Sequence, residues 1–454
     1  MLKSSKKVLP QNADTIAAIA TAQGRGGVGV VRVSGPSAKD LARAILGKVP
    51  DARYAAYSEF IDQNGEPIDQ GIAILFSSPH SYTGEDVLEL QGHGGTAVLQ
   101  QLLQRCLELG ARLAQPGEFT RRAYLNNKLD LAQAESVADL IEANSVQAAR
   151  SAMRSLRGEF SAAINNLLAE LIHLRMLVEA MLDFPEEEVD SVDIARRDMM
   201  LKSILMKLQN TLAAAEQGCL LREGAHIVIA GQPNVGKSSL LNCLSGEEVA
   251  LVSNIPGTTR DVIRQAIQIR GVPLHLMDTA GLRESQDTVE NMGIARTHHT
   301  LQRADLILLL LDASRGVTPQ DEHIIAGLPA DIPRLLVFNK IDLSDTKVPL
   351  GQDKYPCVCV SVKTGAGLDD LREKLLEMVG WRDQEGGAFM ARERHLQALV
   401  TARNHLILAQ GLLARAELFA EELRLAQRAL GEITGEFTPD DLLGEIFSRF
   451  CIGK

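Results

Sequence analysis

The sequence predicts a multidomain α/β and α protein in which a P-loop module, built on a doubly wound parallel sheet, is inserted into a helical domain. Three observations predict it. Gly231-Gln232-Pro233-Asn234-Val235-Gly236-Lys237-Ser238 fits the G-x-x-x-x-G-K-[ST] phosphate-binding loop, between a strand-like run at His226–Ala230 and a helix start at Ser239–Leu244. Leu306–Asp312 and Leu335–Phe338 are short apolar runs suited to parallel strands covered on both faces. The texture of the chain also changes twice, from mixed to helical and back to helical after the P-loop module.

Residues up to about Asn127 mix apolar runs such as Val28–Val33 and Val87–Leu90 with glycine turns. From Leu129 to about Leu221, Ala and Leu recur three and four apart, as on helix faces, and Asp183–Glu188 predicts a break with an acidic first turn. Gln384–Gly387 reads as a linker, and helical periodicity resumes from Arg392 through Leu430. Neither helical stretch can bury its apolar face alone, so the two are read as one domain. The segments are therefore 1–128, 129–222, 223–380 and 381–454.

The chain is 454 residues long with a formal charge of −11, which excludes a broadly basic nucleic-acid coat. Its six cysteines are scattered with no C-x-x-C, so no disulfide framework or zinc site is expected and a cytoplasmic setting fits. No apolar stretch long enough for a membrane span or signal peptide is expected. Gly24–Gly29 satisfies G-x-G-x-x-G but runs into a β-like segment, not a helix, and reads as a turn. His93, in Gly92–Gly95, reads as a turn residue with no nucleophile motif beside it.

Glycines let the loop backbone curl around phosphate oxygens at a helix N-terminus, where anions are favoured. Lys237 is placed to reach the β/γ-phosphates and Ser238 to ligate magnesium, with Asn234, Val235, Gly236 and Ser239 completing the cradle. Asn339-Lys340-Ile341-Asp342 resembles the guanine-reading N-K-x-D element of GTPases. A carboxylate at Asp342 can accept from the ring N–H and the exocyclic amine of guanine, a donor pair adenine lacks. Asp278-Thr279-Ala280-Gly281 resembles the D-x-x-G element, and Ser361-Val362-Lys363 resembles the S-A-K loop, with Val replacing Ala. Thr258-Thr259-Arg260-Asp261 resembles switch I. Leu282 follows Gly281 where many small GTPases carry a water-orienting Gln. Hydrolysis then needs another water-positioning group and another positive charge, which directs attention to Glu290, Asn234 and a monovalent cation.

Cys451 sits near Arg449 and Lys454 in sequence, and reads either as a buried inert thiol or as one of lowered pKa. The terminal Cys451-Ile452-Gly453-Lys454, together with Gly24–Gly29, Thr83–Asp86, Leu88–Gly95, Pro116–Phe119, Lys128–Glu135 and the GTPase set, resembles the MnmE/TrmE family of tRNA-modification GTPases over essentially the full length. That resemblance implies a folate-binding α+β N-terminal domain, a helical domain and an inserted GTPase domain. It implies a homodimer that works with an FAD-dependent, MnmG/GidA-like partner, as a heterotetramer, to add an aminomethyl or carboxymethylaminomethyl group to carbon 5 of the wobble uridine in certain tRNAs. Residue by residue, it implies formyl- or methylene-tetrahydrofolate contacts at Arg32, Glu89, Lys128 and Lys454. It implies potassium at Asn234, Ser253, Ile255 and Thr258, with Asn254, Pro256 and Gly257 in the same nucleotide-contacting stretch. Ser238 and Thr259 match magnesium ligands, Glu290 the water-orienting acid, and Cys451 a cysteine of the modification chemistry. Apart from the family, Arg32 reads as an outward strand position and Lys128 as a solvated lysine. The rival reading is a regulatory or ribosome-assembly GTPase switch without RNA chemistry.

Overall fold

The computed structural model describes residues 14–22, 24–183, 191–247, 264–278, 304–343, 355–382, 388–413, 415–436, 444, 446–448, 450 and 453. They fall into two compact units, one of residues 1–138, 156–173 and 423–454, the other of residues 139–155 and 174–422.

The first unit contains a six-stranded sheet of β1 (Ile16–Ile19), β2 (Gly26–Ser34), β3 (Ala56–Ile61), β4 (Pro67–Phe76), β5 (Val87–Gly94) and β6 (Arg112–Leu113). Their order is β3-β4-β5-β2-β1-β6. Helices α1 (Ala38–Leu46), α2 (Thr96–Glu108) and α3 (Glu118–Leu125) pack with it. Alternation sorts the faces: Val31, Val33, Leu88 and Leu90 enter a core with Leu41, Ile45 and Leu102. Ile16 and Ala18 point to the other face, where Phe119 of α3 and Tyr82 meet them. Arg32 alternates with Val31 and Val33 and so lies on that second face. This corrects the outward-strand reading: α3 and the loop bearing Tyr82 cover the position, and the Arg32 side chain is 21% exposed.

Helices α4 (Leu131–Glu142), α5 (Val146–Leu156), α6 (Glu159–Asp183) and α7 (Ser191–Glu223) follow. Residue Asp183 ends α6, as the acidic break predicts, and the rest of that break lies outside the described residues.

The second unit carries the other sheet: β7 (Ala225–Ala230), β8 (Arg264–Ile269), β9 (Val272–Asp278), β10 (Leu306–Asp312), β11 (Arg334–Asn339) and β12 (Cys357–Cys359), in order β12-β11-β10-β7-β9-β8. Helices α8 (Lys237–Glu247), α9 (Pro319–Gly327) and α10 (Leu368–Met378) accompany it. The sheet is parallel except that β8 pairs antiparallel with β9 through a tight turn at Arg270-Gly271. A two-residue turn returns the chain directly, which a parallel pair cannot do. The continuous apolar runs are explained by two covered faces. Leu306, Leu308 and Leu310 enter one core with Ile227 and Ile229; Ile307, Leu309 and Leu311 enter another with Val228 and Phe338.

Helices α11 (Glu393–Gly411) and α12 (Ala416–Thr434) occupy the second helical stretch. They share the helical periodicity of Arg392–Leu430, with a turn at Leu412-Leu413 between them. Among the described residues no helix is long and apolar enough to cross a membrane.

Candidate functional site

The C-terminal ends of β7, β10, β11 and β12 converge, so the loops after them meet at one edge of the parallel sheet, where α/β folds bind ligands. The phosphate loop runs from β7 into α8. Gly231 has φ 142°, and a side chain there would run into the Leu310 carbonyl of β10. Gly236 has φ 104°, and a side chain would strike the Asn339 amide. Both positions thus require glycine for conformation and for space. Asn234 adopts φ 63°, a left-handed corner that asparagine tolerates better than most residues. Ser238 and Ser239 are in the first turn of α8, with Ser239 exposed. Lys237 is buried, its ammonium donating to the carbonyls of Gly231 (3.0 Å) and Gln232 (2.8 Å).

The loops after β11 and β12 fasten onto this cradle. The Asn339 side chain, 3% exposed, donates from Nδ2 to the Val235 carbonyl (2.9 Å) and accepts at Oδ1 from the Val362 N–H (3.1 Å). Lys340 donates to the Asn234 carbonyl (3.1 Å) and to Asp312 Oδ2 (2.8 Å). Burial would raise the Asp312 carboxyl, but the Lys340 and Ser314 hydrogen bonds more than offset it and hold it below the usual carboxylate range. Asp342 is exposed, and its Oδ1 accepts from the buried Ser361 hydroxyl (2.6 Å), which fixes the carboxylate's orientation. Lys363 is exposed in the following turn. The structure therefore brings Asn234–Ser239, Asn339, Lys340, Asp342, Ser361, Val362 and Lys363 to one edge.

Asp278 ends β9, and its side chain is not described. Ser253–Thr259, Thr279, Ala280, Gly281, Glu290, Cys451 and Lys454 lie outside the described residues. Among the described residues no cluster of three His, Cys, Asp or Glu side chains could hold a metal. The donors expected for magnesium and potassium are hydroxyl, amide and carbonyl oxygens instead. Ser238 and Asn234, both on the cradle, carry oxygens that suit those hard cations.

A second constellation stands in the first unit. Arg32 and Glu89 sit directly opposite each other on β2 and β5, on the same face. Arg32 Nε and Nη2 both reach Glu89 Oε1, at 2.9 and 2.8 Å. The guanidinium lies 5.6 Å from the Tyr82 ring centroid and 5.8 Å from that of Phe119. Arg32 Nη1 also approaches the Gly453 carbonyl, 3.5 Å away, so Gly453 lies at this face. Lys128 instead donates to the Pro79 carbonyl (3.0 Å). The sequence reading missed Tyr82 and Phe119. Their signal was present in Tyr82-Thr83-Gly84-Glu85 and Pro116–Phe119, but nothing local says that both rings close on Arg32.

The cradle, the Asn339 and Lys340 fastenings and the oriented Asp342 define the class: a guanine-nucleotide-binding P-loop protein of the GTPase type. Residues 131–451 match the family described as MnmE helical domain, and residues 15–128 that described as GTP-binding protein TrmE N-terminus. The chain is 60% identical to the tRNA modification GTPase MnmE of Nitrosomonas europaea, over 97% of this chain and 99% of that one. It is 57% identical to the tRNA modification GTPase MnmE of Chromobacterium violaceum, over 97% and 98%. The crystal structure of a point variant of Aquifex aeolicus Era bound to GDP·AlF4− shares 29% identity over 40% of this chain and 67% of that one, with a TM-score of 0.29. This chain belongs to the MnmE family of tRNA modification GTPases.

Proposed function

We propose that this chain is a potassium-stimulated GTPase that, with an FAD-dependent partner, adds an aminomethyl or carboxymethylaminomethyl group to carbon 5 of the wobble uridine of certain tRNAs. The one-carbon unit comes from a tetrahydrofolate derivative. The observation that carries the GTPase part is the Asp342 carboxylate, oriented by Ser361 at the same sheet edge as the phosphate loop. Lys237 binds the β/γ-phosphates; Ser238 and Thr259 hold magnesium. Asn234, with Ser253, Ile255 and Thr258, holds potassium, and Glu290 orients the attacking water. Asp278 holds magnesium through water, and the Gly281 N–H senses the γ-phosphate. The domains divide at 1–128, 129–222, 223–380 and 381–454, and the chain acts as a cytoplasmic homodimer within a heterotetramer.

The folate part is supported by the Arg32–Glu89 pair with its flanking rings. A pterin ring carries a donor pair suited to one carboxylate, and the anionic glutamate tail suits Arg or Lys. Glu89, Arg32, Lys128 and Lys454 hold the cofactor, which supplies the transferred carbon when bound. Arg32 would then share Glu89 with the pterin, while the two aromatic rings already beside the guanidinium help to hold it. Cys451 supports the modification chemistry. A pure ribosome-assembly switch has no evident use for this second constellation.

The test is the modified-nucleoside profile of total tRNA, by mass spectrometry, from cells with and without the gene. Loss of 5-aminomethyl-type wobble uridines, restored by the wild-type gene, is the expected result. An unchanged profile in a cell without a redundant enzyme would overturn the modification reading and leave the switch.

A further inference from the structure

We propose that Gln232 is a positioning residue of the phosphate loop, acting by cross-linking the loop to the first turn of α9. The proposal rests on the GTPase reading and deepens it.

The position follows Gly231 and is one of the variable places in the phosphate-loop pattern, so the motif assigns it nothing. Here its amide does a specific thing. Gln232 Nε2 donates to Thr318 Oγ1 (2.8 Å) and to Asp321 Oδ1 (2.9 Å). Thr318 is the N-cap of α9 and Asp321 its third residue, joined in a reciprocal capping box. Asp321 Oδ2 accepts from the Thr318 N–H (3.0 Å) and hydroxyl (2.7 Å). Asp321 is 3% exposed, and its carboxylate collects these donors, of which Gln232 supplies the one on Oδ1. A carboxylate at that burial without its donor costs stability, which makes the cross-link strong.

The other end of Gln232 bears on the nucleotide. Its backbone carbonyl accepts the Lys237 ammonium at 2.8 Å. Gln232 is thus fixed at its side chain by α9, while its main chain fixes the cation that meets the β/γ-phosphates. Freeing the side chain lets the peptide at 232 shift. The fraction of loops ready to receive phosphate then falls, and apparent affinity falls with it.

The test is a reversal of donor and acceptor in the full chain. Gln232→Glu places a second carboxylate against Asp321 and is expected to raise KM for GTP about tenfold, with kcat changed less than about threefold. Adding Asp321→Asn reverses the pair: the Asn oxygen still accepts from the Thr318 N–H, its amide donates to Glu at 232, the Thr318 hydroxyl turns to donate to that Glu, and KM returns to within about threefold of wild type. Asp321→Asn alone is met by a flip of the Gln232 amide and stays near wild type. An unchanged KM in Gln232→Glu, or a double variant no better than the single one, overturns the proposal. Should Gln232→Glu fail to fold, Gln232→Met has similar length without the amide. A fivefold or greater rise in its KM supports the cross-link, and an unchanged KM overturns it. Failure of the GTPase reading is distinguishable, because the wild-type chain would then turn over no GTP.

Discussion

Asn339→Ala separates holding the nucleotide loops from reading the base. Among the described residues the Asn339 side chain bonds loop backbone alone: the Val235 carbonyl at 2.9 Å and the Val362 N–H at 3.1 Å. Truncation leaves both groups without that partner. Each unpaired buried polar group costs about 1–3 kcal/mol. Val235 is 6% exposed, so its carbonyl bears close to the full penalty, whereas the half-buried Val362 is open to water and bears less. The sum is about 2–4 kcal/mol. Gly236 also packs against the Asn339 amide, so truncation opens space beneath the cradle. If that loss falls on the binding-competent loop, GDP affinity weakens by roughly 30- to 1,000-fold. Titration of a fluorescent GDP analogue into the full chain measures it, with a thermal melt alongside. A dissociation constant within about threefold of wild type, at unchanged melting temperature, would refute the stapling argument.

Other predictions concern charge. Glu118 accepts from Arg112, Arg122 and the Gln115 N–H. Burial pushes its carboxyl up, but these bonds prevail and hold it below its ordinary 4.5. A depressed folded pKa contributes stability that is present above about 4.5 and lost as pH falls through the folded value. Glu118→Gln is expected to flatten the acid limb of a urea-midpoint profile as pH falls below about 4.5, and a profile parallel to wild type would count against it. In the second unit Asp139, its side chain 2% exposed, takes Arg222 at 2.9 Å and Arg392 at 2.8 Å. Breaking a buried pair costs about 3–5 kcal/mol, but Arg222 is 27% exposed, so about 2 kcal/mol is the better figure for Asp139→Asn. That corresponds to a fall of about 4–8 °C in the melting of this unit; a fall under about 1 °C would mean water already solvates the arginines.

The nucleotide site was legible because its chemistry is local. A loop that must curl around phosphate writes its glycines, lysine and serine into eight consecutive residues, and strands covered on both faces write unbroken runs such as Leu306–Leu311. What stayed hidden depends on distant partners. Nothing in the sequence near Gln232 announces Asp321, 89 positions away, and nothing near Arg32 announces Phe119. The Arg32 error shows why. Alternation reveals which residues share a face but not whether that face is covered, and here α3 covers it. Short helices such as α1 and α3 also escaped, because eight or nine residues give periodicity little room.

Among the described residues the phosphate loop is pinned from outside at three places: the Gln232 side chain by α9, the Asn234 carbonyl by Lys340 and the Val235 carbonyl by Asn339. Its order therefore does not come from its glycines, which permit the curve without enforcing it. Pins within four residues of one another share the same stretch of backbone, so their losses should couple. If the loop moves as one piece, each cut throws more of the restraint onto the pins that remain, so the second costs more than it would alone. Asn339→Ala combined with Lys340→Ala then weakens GDP binding by more than the product of the single effects. If each pin restrains only its own peptide, the effects multiply. The double-mutant cycle on GDP affinity decides between them, with a coupling energy above about 0.5 kcal/mol marking the concerted loop. Simple multiplication would require the three pins to act independently, and the curled loop to hold its shape without their joint support.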